Sequence, residues 1–356
     1  MSTRKPTRHK SRPTKITGDT PPPALLIGLD VGYGYTKFVS QDGQRMIIPS
    51  LVAPANMNTF SLGIGNVSHT VTVDEAEYVV GEDAVNRGFR FSEEYDGWWT
   101  SVRYKALIQF LRQFIPPHSH ICSGLPLHMF NAVKAHEQVQ DVIRHGLRAA
   151  RVTVMPQGVG AYCAATTTDA SLKHGRVGIV DIGGRTTELV TLCDGNFLDH
   201  QSKGLLIGVN TIFQKAAALL SAQSERSIDA YEFDWAFRQT KPIMIKGEPV
   251  SQPVLQGLVQ PLVDPFLADL FREMTTLWGA GAPSLDRLVF CGGGAALLEE
   301  PLATFRAHST IMPDSQFANA MGYLTYALWT TPQIAPTPAP VPPNVEQPEP
   351  LTVPAH

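Results

Sequence analysis

The sequence predicts an α/β protein of two domains. The chain has 356 residues, of which 43% are hydrophobic, and this is enough to bury two cores. Three glycine-bearing segments, at residues 25–39, 177–190 and 285–295, each begin with a short, branched, apolar run typical of a buried strand. The first two segments return as a second strand, and the third continues as a helix. The two hairpins lie about a domain's length apart, so they are able to face each other across a cleft.

The first hairpin combines groups that suit a phosphate. Its strand ends on Asp30, and Gly32 and Gly34 then form a tight turn. A glycine turn lets backbone N–H groups approach an anion, Lys37 adds a positive charge, and Asp30 is placed to hold a hydrated Mg²⁺. By itself, a hairpin with an aspartate at its corner is commonly only a hairpin. No G-x-x-x-x-G-K-[ST] run occurs in the chain, which excludes a P-loop.

A second copy of the same pattern strengthens the phosphate interpretation. Residues 177–190 again run from a strand to an aspartate, Asp181, then to the pair Gly183-Gly184, a threonine and a second strand. Two such turns facing each other would clamp one polyphosphate from both sides. The third cluster, residues 291–295, places three glycines between a strand and a helix, which suits the nucleoside end of a nucleotide.

Four further segments follow in a fixed order between and after these motifs: residues 78–84, 123–126, 155–161 and 317–323. They are similar to the Y-x-V-G-E-x-A, G-L-P, P-Q/E and A-N-A-x-G segments of one superfamily. With the glycine motifs, the chain resembles the superfamily of actin, the sugar kinases and the heat-shock chaperone ATPases. Within it, the D-V-G-Y-G-x-T-K opening resembles the bacterial plasmid-segregation actins of the ParM/StbA type. The resemblance covers roughly residues 25–328.

The resemblance implies two actin-like (ribonuclease H-like) domains around a nucleotide cleft, each with a small insert. We expect the following division: a disordered basic arm at 1–23, domain I at 24–150 with the C-terminal helix 316–330, domain II at 151–315, and a proline-rich disordered tail at 331–356.

The resemblance also assigns roles to residues, with ATP as the ligand and GTP left open. Asp30 and Asp181 would hold Mg²⁺ through water, and Gln157 would orient the attacking water, which makes these three the predicted catalytic residues. Turn-capping carboxylates and a loop amide are the plainer interpretations of the same side chains. The predicted nucleotide-binding residues are Gly32, Tyr33, Gly34, Tyr35, Thr36, Lys37, Gly183, Gly184, Arg185, Thr186, Gly208, Asn210, Gly292, Gly293 and Gly294. Lys215 and Arg238 are further guesses for contacts to the base or ribose.

Periodicity and breakers predict the remaining elements in order. In the first half we expect strands at 45–53, 78–81 and 120–124 and helices at 97–114 and 129–149, because apolar residues recur there at strand or helix spacing and prolines end the runs. In the second half we expect strands at 151–155 and 197–201 and helices at 158–166, 209–220, 231–237, 262–278, 295–308 and 319–329.

Composition excludes several function classes. The net charge of −3 gives no general attraction to nucleic acid or membrane, and no run of about 18 apolar residues occurs. The four cysteines are widely spaced, which favours buried free thiols over metal ligands or disulfides. We therefore expect a cytoplasmic protein with no membrane partner.

These observations predict an actin-like ATPase, Mg²⁺-dependent and slow, that polymerises with itself and positions plasmid or other DNA through a DNA-binding adaptor. Direct sequence-specific DNA binding is not predicted. The polymerisation is implied by the resemblance alone. The alternatives are a small-molecule kinase of the same superfamily and a scaffold that binds nucleotide without polymerising.

Overall fold

The computed structural model describes residues 24–55, 69–86, 97–303, 305 and 309–331, except for the side chains of 85 and 86. The predicted basic arm, and the predicted tail beyond residue 331, lie outside the described residues. Among the described residues, no helix is both long and apolar enough to cross a bilayer.

The first half of the chain alternates between short strands and helices. Its elements are β1 (Leu26–Val31), β2 (Tyr35–Ser40), β3 (Arg45–Pro49), β4 (Val52–Pro54), β5 (Thr70–Val73), β6 (Ala76–Val80), α1 (Glu82–Asn86), α2 (Val102–Leu111), β7 (His120–Leu125), α3 (Leu127–Phe130), α4 (Val133–Leu147), β8 (Arg151–Pro156) and α5 (Val159–Thr168).

The second half has the same character, with a longer helical insert. Its elements are β9 (Arg176–Ile182), β10 (Thr187–Cys193), β11 (Asn196–Phe197), β12 (Lys203–Leu205), α6 (Asn210–Ser224), α7 (Ala230–Phe237), β13 (Met244–Ile245), β14 (Glu248–Pro249), α8 (Gln252–Trp278), β15 (Arg287–Cys291), α9 (Gly293–Leu297), α10 (Glu299–Ala303), β16 (Ser309–Ile311) and α11 (Ala318–Thr330).

Two mixed sheets share one plan. The first has the order β3-β2-β1-β7-β8, and the second has the order β11-β10-β9-β15-β16 with β12 added beside β10. In both, the leading strand (β1 or β9) pairs antiparallel with the next strand and parallel with a later one. The predicted two-domain α/β architecture is confirmed. Asp30 and Asp181 occupy corresponding places because they lie near the ends of the two leading strands.

Small inserts accompany both sheets. In the first half, the three-stranded sheet β4-β6-β5 follows strands β1 to β3 along the chain. In the second half, α7 and the β13–β14 hairpin come between α6 and α8. The second insert brings Tyr231 of α7 against the backbone of Tyr33 and Gly34, which follow β1.

Helices α5 and α11 cross in the apolar core that joins the two sheets. This core contains residues from both sheets, including Leu26 of β1 and Ile179 of β9. A Cβ on Gly322 of α11 would overlap the carbonyl oxygen of Gly160 on α5, so the helices pack backbone to backbone. The crossing permits two sheets to share one core while a cleft remains open between their strand ends.

The expected domain boundary at 150/151 is corrected by the sheet pairing. We expected strand 151–155 to open the second domain, but β8 pairs in parallel with β7 inside the first sheet. The expected C-terminal helix does contact the first sheet, as α11 against β1, but it also packs against α5. A strand's sheet is decided by its partners, which its own sequence does not reveal.

Helix α8 begins ten residues before the expected start at 262, at Gln252. Pro253, which we expected to break the chain before the helix, lies in its first turn, and Pro261 and Pro265 lie inside the helix on its exposed face. Each internal proline leaves one carbonyl of the preceding turn without an N–H donor, and water satisfies such a group at the surface. Buried apolar residues at helical spacing on the opposite face keep the helix continuous.

Several other predicted elements are shorter than expected. Helix 97–114 is a 3₁₀ turn, Trp98–Thr100, followed by α2, and helix 129–149 is interrupted between α3 and α4. Segment 197–201 is mostly a 3₁₀ turn, Asp199–Gln201, and segment 295–308 contains two short helices. Val102 of α2 and Leu219 of α6 are exposed, although both belong to the apolar residues that recur at helix spacing in these segments.

Candidate functional site

The two glycine turns meet at one cavity. Its volume is about 370 Å³, and its lining includes Asp30 at the end of β1 and Asp181 at the end of β9. The turn after β1 lines it from one side, and the turn after β9 lines it from the other. A cavity of this size between two sheets is typical of a small-molecule or cofactor site.

Asp30 is held on both of its oxygens. The ammonium of Lys37 lies 2.9 Å from its Oδ2, and the side-chain amide of Gln157 donates to its Oδ1 at 3.5 Å. Lys37 faces Asp30 because the two residues are opposed in the β1–β2 pair. Gln157 is brought to this carboxylate from the end of β8, so the predicted catalytic amide lies at the cavity.

Asp181 is more deeply enclosed. Its Oδ2 accepts a hydrogen bond from the Asn319 amide at 2.6 Å, and Cys291 lies opposite Asp181 in the β9–β15 pair. Burial raises the pKa of Asp181 to about 6. The hydrogen bond from Asn319 lowers this pKa in part, and the negative charge of Asp30 raises it further. Gly292 has φ +86°, and a Cβ there would overlap Asp181, so the site requires glycine at this position.

The two turns also touch each other through side chains. The guanidinium of Arg185 lies 4.6 Å from the ring centroid of Tyr33, and Tyr33 in turn packs on Trp98 at 5.2 Å. Arg185 comes from the second turn and Tyr33 from the first, so a cation–π contact spans the cleft.

A second set of contacts crosses the cleft from α7. The hydroxyl of Tyr35 donates to Asp234 at 2.7 Å, and the hydroxyl of Tyr231 donates to the backbone oxygens of Tyr33 and Gly34 at 3.2 and 3.1 Å. Arg238 holds the other oxygen of Asp234 at 2.6 Å. The cleft is therefore closed on this side by hydrogen bonds between the two halves of the chain.

Two further titratable groups lie close by. Glu188 on β10 is 1% exposed and accepts the backbone N–H of Leu127 at 3.1 Å; burial raises its pKa to about 8, and the charge of Asp181 contributes. His128 lines the cavity, and partial burial lowers its pKa, with the cation of Arg185 acting in the same direction.

Both halves of the chain match known domains. Residues 28–160 match the N-terminal domain of actin-like proteins, and residues 179–304 match the C-terminal domain of the archaeal, MreB-like actin homologue. The chain therefore contains two domains of the actin-like type. Its fold agrees with this: a ParM protein described as a non-polymerisable quadruple mutant superposes with a TM-score of 0.70 at 22% identity, covering 86% of this chain and 99% of that one.

Other relatives of this actin-like chain include archaeal actin homologues. One from Thermoplasma volcanium is 28% identical over 331 residues, which is 84% of this chain and 97% of that protein. An archaeal actin homologue crystallised in complex with ADP superposes with a TM-score of 0.68 at 24% identity, covering 86% of this chain and all (100%) of the other. A 15-stranded ParM filament from Clostridium botulinum superposes with a TM-score of 0.67 at 22% identity, over 86% of this chain and 99% of that one.

The residues around the actin-like cleft fit a magnesium nucleotide. Two carboxylates, a lysine and two glycine turns form a donor set suited to a polyphosphate and a hydrated cation. Among the described residues, no three His, Cys, Asp or Glu side chains gather into a metal cage. Asp30 and Asp181 would then act together with phosphate oxygens and water, as Mg²⁺ prefers.

Most of the predicted site residues of this actin-like protein line the cavity. They are Asp30, Gly32, Tyr33, Gly34, Tyr35, Lys37, Gln157, Asp181, Gly183, Gly184, Arg185, Thr186, Asn210, Gly292 and Gly293, together with the guessed Arg238.

Three predicted nucleotide-binding residues do not line the cavity. The Thr36 side chain is buried on one face of the sheet, because alternate residues of β2 face opposite sides. Its hydroxyl lies 2.8 Å from that of Ser50. Gly208 and Gly294 lie behind the lining, and a Cβ on either would crowd the residues packed there. The guessed Lys215 is exposed on α6 and does not line the cavity either.

Sequence reasoning missed four residues that shape the actin-like cleft. Asn319 was noted within a closing motif but given no role, although its oxygen also accepts the N–H groups of Gly158 and Ala161. Tyr231 and Asp234 lie on a predicted helix, but periodicity does not say what a polar side chain on it will meet. Glu188 follows a predicted turn, and only the structure shows that it is buried against the other half of the chain.

Proposed function

We propose that this protein is an ATPase that assembles into nucleotide-dependent filaments and hydrolyses its nucleotide slowly. The observation that carries the proposal is the convergence of two aspartate-bearing glycine turns on one cavity, with Gln157 beside Asp30. The ADP complex of an archaeal actin homologue and the ParM filament from Clostridium botulinum support nucleotide binding and self-assembly. ATP is our choice of nucleotide, with GTP as the alternative.

Each group at the site has a proposed task. The backbone N–H groups of the two turns bind phosphate oxygens, with Lys37 as a neutralising charge. Asp30 and Asp181 hold the hydrated Mg²⁺, which when bound neutralises the charge that develops on the phosphates. Gln157 orients a water molecule by hydrogen bonding and is a weak base, so hydrolysis is slow.

The cellular role that we propose is positioning DNA, in particular plasmid segregation, through a separate DNA-binding adaptor in the cytoplasm. Support for this finer role is the resemblance of the D-V-G-Y-G-x-T-K opening to the plasmid-segregation actins, together with the structural similarity to ParM proteins. Self-association would be heterologous, with one end of the molecule against the opposite end of the next, because such contacts build open filaments.

The test measures right-angle light scattering and phosphate release together, with Mg²⁺ and either ATP or ADP. We expect scattering to rise with ATP and to decay as phosphate appears. Asp181→Ala is expected to abolish both signals, whereas Asp264→Ala, at an exposed aspartate of α8, keeps phosphate release at the wild-type rate.

Two outcomes would contradict the proposal. Phosphate release with flat scattering at high protein concentration removes the filament and leaves a monomeric ATPase. ATP consumption that requires an added alcohol-bearing small molecule identifies a kinase; His128, at the cavity with a lowered pKa, would then be the first base to test.

A further inference from the structure

Helix α7 of the second half is hydrogen-bonded to the first glycine turn. The hydroxyl of Tyr231 donates to the backbone oxygens of Tyr33 and Gly34, which are 198 and 197 positions away in the sequence. From the turn itself, the hydroxyl of Tyr35 donates to Asp234. Each of the two elements therefore donates a hydrogen bond to the other.

On the side of α7, these contacts are made by buried side chains. Tyr231 is 6% exposed and Asp234 is 5% exposed. The Tyr231 ring packs within a small apolar cluster of the first half, made of Leu51, Ala53, Val79 and Ala84. Burial raises the pKa of both Tyr231 and Tyr35 well above the usual value, so both hydroxyls keep their protons and remain donors throughout the ordinary pH range.

The Tyr231 hydroxyl contributes to the orientation of two peptide groups. The Gly34 carbonyl also accepts the backbone N–H of Ser50 at 2.9 Å, whereas the Tyr33 carbonyl is oriented toward Tyr231. The carbonyls of Tyr33 and Gly34 belong to the same planar units as the N–H groups of Gly34 and Tyr35, respectively. All peptide bonds in the described part of the chain are trans, so each N–H points away from its own carbonyl. With both carbonyls directed at Tyr231, the two N–H groups are directed away from it. Gly34 and Tyr35 line the cavity, whereas Tyr231 does not.

We propose that Tyr231 is a positioning residue for the polyphosphate, which sets the first turn from the opposite side of the cleft. This inference rests on the proposed nucleotide-binding function. Its consequence is that the phosphate site is complete only while α7 lies against the turn. The Tyr35–Asp234 hydrogen bond holds α7 in that place, and the i,i+4 ion pair with Arg238 fixes the Asp234 carboxylate that accepts it.

Such coupling is reciprocal. If contact between α7 and the turn tightens the binding of a nucleoside diphosphate by a given factor, the bound nucleoside diphosphate stabilises that contact by the same factor. Cleft closure and phosphate binding then form one equilibrium.

The test variant is Tyr231→Phe, which keeps the ring in its apolar cluster and removes only the hydroxyl. The matched control is Tyr162→Phe, because Tyr162 is also a buried tyrosine whose hydroxyl donates to a backbone oxygen, that of Leu172 at 3.0 Å. Tyr162 does not line the cavity. Each variant loses one neutral hydroxyl proton donor, which Tyr231 shares between two carbonyl oxygens and Tyr162 gives to one, so similar losses of thermal stability are expected.

Mg·ADP is the probe, since it binds without turnover. The lost hydrogen bond predicts roughly 3- to 10-fold weaker ADP binding in Tyr231→Phe and unchanged binding in Tyr162→Phe. Hydrogen exchange of residues 230–237, measured on the wild type with and without ADP, gives an independent readout that needs no variant. We expect ADP to slow exchange there, and to slow it less in Tyr231→Phe than in the control.

The outcomes separate this inference from the function on which it rests. If the wild type binds Mg·ADP but Tyr231→Phe binds it equally well, or if ADP leaves exchange at 230–237 unchanged, the positioning role is overturned and the proposed function stands. If the wild type itself does not bind ADP or ATP, both proposals fail.

Discussion

The buried carboxyl of Glu188 makes a specific prediction about stability and pH. Its Oε2 accepts a hydrogen bond from Leu127, while its Oε1 is buried and has no hydrogen-bond partner among the described residues. Burial raises the pKa of this group from 4.5 to about 8. In an unfolded chain the same carboxyl ionises at its ordinary pKa, so between these values folding takes up a proton.

The sign and size of the effect follow from that difference. The stabilising contribution of the neutral carboxyl is fully present below the unfolded pKa and is lost as pH rises toward the folded pKa. Each pH unit inside this window removes ~1.4 kcal/mol. From pH 5.5 to 7.5 the wild type should therefore lose about 3 kcal/mol of unfolding free energy through this one group.

Replacement of the acid by its amide tests the reasoning. Glu188→Gln keeps the oxygen that accepts from Leu127 but does not titrate. Its buried amide adds a penalty of about 1–3 kcal/mol that is independent of pH, so the informative quantity is the change with pH. Relative to the wild type, the variant should gain about 3 kcal/mol of stability between pH 5.5 and 7.5.

Urea denaturation of both proteins at matched pH values measures the difference, in which groups common to both proteins cancel. Glu77→Gln, at an exposed glutamate of β6, is the control for removal of one carboxylate. A wild-type-to-variant difference that stays constant across this pH range would refute the reasoning, because Glu188 would then ionise in the folded protein as it does in water.

Three further predictions concern the core and the site. Gly322→Ala should destabilise the protein by ~3 kcal/mol or more, because its Cβ would overlap the crossing helix, whereas Gly257→Ala, with open space around it on α8, should be neutral or stabilising by ~1 kcal/mol in the same denaturation assay. Asn319→Asp would set a second carboxylate against Asp181, so calorimetry should show Mg·ADP affinity at least ~10-fold weaker, and unchanged affinity would argue against the metal role. Gln157→Ala should lower phosphate release by ~10²-fold with ADP affinity near wild type, and wild-type turnover would remove this amide from the mechanism.

Local sequence determined where the chemistry sits along the chain. Short apolar runs ending on Asp30 and Asp181, followed by glycines, identified the two leading strands and their turns because strand burial and glycine turns are local properties. The same reasoning placed most of the predicted site residues at the cavity, and it located the helices with ends that differed by several residues. Where prolines interrupted an amphipathic pattern, as in α8, the long-range burial of its apolar face outweighed the local signal.

Tertiary structure decided which groups meet. The assignment of β8 to the first sheet depends on β7, and the inward direction of Thr36 depends on the register of β2. The contact of Tyr231 with the first turn joins residues about two hundred positions apart. No local pattern encodes such a contact, because a hydroxyl on a helix face has the same sequence signal whether it meets water or a glycine turn. The sequence by itself thus determined the two halves of the site, and the packing of one half against the other decided how they fit together.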